Sequence, residues 1–119
     1  MSEAAKRYRE TVVRRAVGGP GTASTDARRA AFDNAGVDQR ARDFVDKVAR
    51  RAWTVTDGDV AATKAAGVSE DEIFELAVCA ALGQATRQLD AALAALDAAT
   101  AAGSAPVLGP RRTDDGGTR

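Results

Sequence analysis

The segment from Ser69 to Ala102 constrains this chain more than any other, because it holds no proline, one internal glycine at Gly83, and alanine throughout. Alanine has the highest helix propensity and loses no rotamer freedom, so the segment is expected to be one long helix. Ser69 followed by Glu72 forms a capping box, and Glu70 and Asp71 lie in the first turn, where the helix dipole favours acids. Ile73 and Phe74 then open the apolar run. A seam through Phe74, Val78, Leu82, Ala85, Leu89, Leu93 and Leu96 advances by about 3.67 residues per step, nearer to straight packing than to a leucine zipper. Gly83 costs roughly 1 kcal/mol relative to alanine inside a helix, and it is expected to allow a close helix crossing.

The remaining segments also read as helices, which makes the chain all-α. Glu3 to Val17 forms a first helix, ended by Gly18-Gly19-Pro20-Gly21. A second starts near Thr25, capped by Ser24 or Thr25, is anchored by Phe32, and runs to Gly36 in a left-handed C′ position. A third spans Asp38 to Trp53, with Ala41, Phe44, Val45, Val48, Ala52 and Trp53 on one stripe and Trp53 expected as a core plug. Thr56 or Asp57 caps a short helix that ends at Gly67. Residues 1–23 therefore read as a helical arm and Gly/Pro linker, 24–102 as the domain, and 103–119 as a disordered tail.

Hydrophobic residues make up 45% of the chain but aromatics only 4%, so the core must be built from small side chains. Such a core buries little apolar area per residue, and oligomerisation is the expected remedy. Net charge is zero, yet residues 1–51 hold 12 Lys/Arg against 7 Asp/Glu while residues 52–102 hold 2 against 8. The two halves are electrostatically complementary, and packing between them, within or between subunits, is expected. The doublets Arg14-Arg15, Arg28-Arg29 and Arg50-Arg51 are dispersed without interleaved aromatics, which favours a solvated or intersubunit face over nucleic acid. The start MSEAAKRYRE has no apolar h-region and no stretch suits a membrane span, so a cytoplasmic protein is expected.

Histidine is absent and Cys79 is the sole cysteine. Ser–His, Cys–His and cysteine-zinc chemistry are thereby excluded, and no metal or cofactor is indicated. Cys79, in an apolar helix with no partner thiol, reads as buried and inert. Asp57 and Asp59 lack further oxygen ligands at calcium or magnesium spacing and read as caps. Arg87 shares a helix side with Ile73, Ala77, Ala80 and Gln84 and suits an ion pair with a neighbouring helix.

The stretch TVTDGDVAATKAAGVSEDEIFELAVCAALGQATRQLDAALAAL, Thr54 to Leu96, resembles the core of the AhpD-like and carboxymuconolactone decarboxylase family. The likeness lies in the short helix ending in AAG, the capped SEDEIFEL start, the small-residue helix, and Arg87 followed by alternating Leu and Ala. It implies a small all-α fold and an oligomer. In redox members a Cys-x-x-Cys-x-x-x-His motif would fall with its cysteines at Ala52 and Val55 and its histidine at Asp59, and an assisting glutamate would fall at Arg40. None of the four is present, so the family's peroxidase mechanism is excluded. The resemblance implies a non-redox helical domain acting as an oligomeric structural or accessory binding protein. Its alternative is a small-molecule enzyme, carboxymuconolactone decarboxylase-like or peroxidase-related, with Arg87 anchoring a carboxylate and Asp59 or Glu75 as acid or base. A DNA-associated helical protein using the basic N-terminal half is a third reading.

Overall fold

The structure, a computed structural model, describes residues 2–103, which form helices and turns with no strand among them. Helix α1 spans Glu3–Gly18, α2 Thr25–Asp33, α3 Gln39–Arg51, α4 Asp57–Ala65 and α5 Glu70–Gly103, with a 3₁₀ turn at Ala52–Thr54. Each helix start has a side-chain reason. Ser2, Ser24 and Asp38 accept the free N–H groups that open α1, α2 and α3. At α4, Thr56 and Asp59 form a capping box. At α5 the expected box is present: the Glu72 N–H donates to Ser69 Oγ at 3.1 Å and the Ser69 N–H donates to Glu72 Oε1 at 3.0 Å. The tail expected to be disordered lies outside the described residues beyond Gly103.

The chain divides within α5 into two compact units, residues 1–86 and residues 87–119. In the first, Val17, Phe32, Phe44, Val45, Ile73 and Leu76 are buried in one cluster that draws on α1, α2, α3 and α5. Small side chains dominate it: the largest side chains that are fully sealed from solvent are Val45 and Cys79. In the second, the described end of α5 leaves Leu89 and Leu96 exposed and Leu93 half-buried.

Gly83 sets the phase of α5 in the first unit. It is buried, and a methyl group placed on it would overlap the carbonyl of Phe32 at the end of α2. The close crossing expected from the sequence is present. Because the backbones meet there, α5 buries the small-residue face that carries Ile73, Leu76, Cys79 and Ala80. At about 100° per residue, the seam through Phe74 and Val78 lies on nearly the opposite side. It is not the main packing face, although Leu82 of the same seam is half-buried against the core. Phe74 is 69% exposed and Val78 is 36% exposed.

Two other expectations are corrected. Trp53 is 81% exposed and plugs no core, because the α-helical register stops at Arg51 and the 3₁₀ turn carries Ala52 and Trp53 off the buried stripe. Helix α2 ends at Asp33, three residues before Gly36, because Asn34 takes the left-handed cap conformation at φ 50°, ψ 44°. Gly36 also has positive φ, but in the turn that follows.

Gly83→Ala is expected to lower unfolding stability by about 2 kcal/mol, the overpacking strain exceeding the gain in helix propensity. Urea titration checks this. A stabilisation of about 1 kcal/mol, as at an exposed helical glycine, would mean that the two backbones are not in contact.

Candidate functional site

Asp59 lies at the edge of a cleft of about 480 Å³ lined by residues of α3 and α4, among them Arg40, Asp43, Lys47, Arg51 and Thr63. Lys47 Nζ donates to Asp59 Oδ2 at 2.9 Å. The same oxygen accepts from the Thr56 N–H at 2.9 Å and from Thr56 Oγ1 at 3.2 Å. The hydrogen bond from Lys47 and that from the Thr56 backbone hold the Asp59 carboxyl below the usual carboxylate range. An acid–base residue working near neutral pH needs the opposite shift. Asp59 is an ionised cap and ion-pair partner with its acceptor oxygen already occupied.

Glu75 serves a different site. Its Oε2 accepts from the Thr22 N–H and its Oε1 from the Ala23 N–H, both at 2.8 Å. One carboxylate thereby fastens the linker between α1 and α2 onto α5. Gly21 leaves room for this carboxylate, since a Cβ there would stand 2.7 Å from Glu75 Oε1 and push it aside. Donation from the Thr22 backbone is the first cause of the lowered Glu75 pKa, and Arg28 adds an attractive charge.

Arg28 is the residue that the sequence reading missed. Expected on a solvated or intersubunit face, it is only 4% exposed within the single chain. Its Nε donates to the Ala23 carbonyl and its Nη1 to the Ala16 carbonyl, each at 3.1 Å. A buried guanidinium is tolerable when its donors are met in this way. The sequence did hold a signal, because Arg28 stands four residues before Phe32 and three before Ala31, on the face of α2 that those two residues bury. Its neighbour Arg29 is exposed, with its guanidinium carbon 5.3 Å from the centre of the Phe32 ring.

Cys79 is 1% exposed and its Sγ donates to the Ala16 carbonyl at 3.4 Å. Burial pushes its thiol pKa up, which disfavours the thiolate that nucleophilic or redox chemistry requires. Arg87 is exposed on the second unit. Among the described residues no group of three or more His, Cys, Asp or Glu is placed to hold a metal, and no helix is long and apolar enough to cross a membrane.

A second concave surface is a groove of about 420 Å³ lined mainly by α1 and α2. Val13, Val17 and Phe32 supply its apolar side chains, and Arg9, Arg14 and Arg29 also line it. Val17 and Phe32 belong to the buried core, so the exposed apolar surface lies on α5 at Phe74, Val78, Leu89 and Leu96, whereas the polar groups at Asp59 and Glu75 are matched to partners inside the fold.

No protein-family model, curated protein or solved structure matches the chain. The AhpD-like likeness therefore rests on the Thr54–Leu96 pattern alone.

Glu75 gives a pH-dependent signature. Its folded pKa is lowered, so the stability it contributes is complete above its unfolded pKa of about 4.3 and is lost as pH falls through the folded value. Glu75→Gln should cost about 1–3 kcal/mol at pH 7, and the gap to the parent protein should close progressively below about pH 4. Urea titrations of both proteins across pH measure it; a pH-independent gap would show that the carboxylate charge is not what holds the linker. Cys79 should resist alkylation in the folded protein and react fully in denaturant.

Proposed function

We propose that this protein is a self-associating helical domain with a structural or accessory role, and that α5 carries its association surface. The observation that carries this reading is the outward apolar side of α5. Phe74 and Val78 in the first unit, and Leu89 at 36% and Leu96 at 60% exposure in the second, are placed against no core. Large apolar side chains gathered along one helix and facing water favour association. A core of small residues adds a motive, since burial between copies offsets what one copy leaves unburied. A non-redox AhpD-like kinship belongs to the same proposal, as does a role without catalysis. The engagement of Asp59 as a cap and Glu75 as a linker clamp favours it over the enzyme reading.

Size-exclusion chromatography with light scattering on the full chain should give a dimer or larger assembly at micromolar concentration. Phe74→Lys with Leu96→Lys should shift it to monomer. The helical circular dichroism signal should be preserved, because changes at exposed sites usually alter stability by less than about 0.5 kcal/mol. A well-folded monomeric parent protein would refute the proposal.

A further inference from the structure

Resting on the self-association reading, we propose that α1 of a second copy of this chain docks antiparallel on the outward side of α5, over Phe74 and Val78. Helix α1 anchors in its own core through Val17, with Val13 and Ala16 half-buried beside it. At about 100° per residue, Tyr8 lies on the opposite side of the helix from Val17. It is 67% exposed, and Val12, one turn further on, is 39% exposed. Ala5 and Arg15, both exposed, extend this stripe in the two directions. Its members follow one another by three, four and three residues, which keeps them on one helix face.

The outward side of α5 repeats this spacing. Asp71, Phe74, Val78 and Ala81 are all exposed and also follow one another by three, four and three residues. Both stripes lie in the first unit and both face water in the single chain, so their contact is one between copies. Run antiparallel, the helices set Tyr8 against Val78 and Val12 against Phe74, so that each ring meets a valine. Ala5 then meets Ala81, which lets the backbones approach, and Arg15 meets Asp71. Neither of these charged residues has an ion pair among the described residues. Run parallel, the same stripes would leave Arg15 beside Ala81 and Asp71 beside Ala5, so charge selects the direction. The helix dipoles agree, since the negative end of α1 comes to the positive end of α5. Sequence-wide, the basic first half and acidic second half express the same complementarity.

Directed cross-linking in the full chain tests the pairing. One variant carries Arg15→Cys and a second carries Asp71→Cys, which leaves the apolar anchors intact, and the native Cys79 is buried. A disulfide requires Cα atoms within about 7 Å. Under mild oxidation an equal mixture of the two should give a disulfide-linked heterodimer, while each variant alone should give none. Tyr8→Lys supplies an independent readout on α1: its self-dissociation constant should rise by roughly tenfold or more. Circular dichroism of each variant verifies that it is folded. If the parent protein associates but the mixture gives no heterodimer, or homodimers link as readily, or folded Tyr8→Lys associates as the parent does, the docking site is refuted while self-association stands. If the parent is monomeric, both fall.

Discussion

The contact between Gly83 and the carbonyl of Phe32 decides which way α5 faces, and most of the architecture of the first unit follows from it. Without a side chain at residue 83, the two backbones approach to a distance that any Cβ would prevent. That approach turns Ile73, Leu76, Cys79 and Ala80 inward and leaves Phe74 and Val78 outside. Close backbone packing compensates for small side chains, since contact density rather than side-chain size determines dispersion gain. The choice has a cost in exposed apolar surface, and that surface is the one proposed to meet another copy.

A second constraint holds the start of the chain to this frame. Arg28 reaches the carbonyls of Ala16 and Ala23 from within the core, and Glu75 accepts the amides of Thr22 and Ala23 from α5. The connection between α1 and α2 is thus clasped on both sides by side chains of opposite charge. Val17 and Ala23 are buried beside these contacts, so the polar clasp and the apolar core are parts of one packing arrangement. The same clasp fixes the relation of α1 to α2, and with it the groove that they line.

Helix starts were legible in the sequence because capping is local: Ser69 with Glu72 and Thr56 with Asp59 sit within four residues of their partners. The crossing at Gly83 was legible too, since a lone glycine in an alanine-rich helix has few other uses. The phase of α5 was not. Phe74, Val78 and Leu89 make a stronger apolar stripe than Ile73, Leu76 and Ala80, and only the long-range approach of Phe32 reverses the preference. Trp53 was misplaced because its stripe assumed an unbroken α-helix through Ala52, where the chain tightens into a 3₁₀ turn. Of the candidate site residues, Asp59 could be recognised as a cap, whereas the roles of Glu75 and Arg28 depend on partners distant in sequence or on burial.

Taken together, these features describe a small helical frame that engages Arg28, Asp59 and Glu75 internally and leaves Phe74, Val78, Leu89 and Leu96 exposed on α5, the surface proposed to meet another copy. Hydroxyl-radical footprinting of the full chain over a range of concentrations tests this division most directly. Phe74 and Leu96 should be oxidised readily in dilute protein and become protected as concentration rises, while Ile73 and Leu76 stay protected throughout. Reactivity at Phe74 and Leu96 that does not change with concentration would contradict the account.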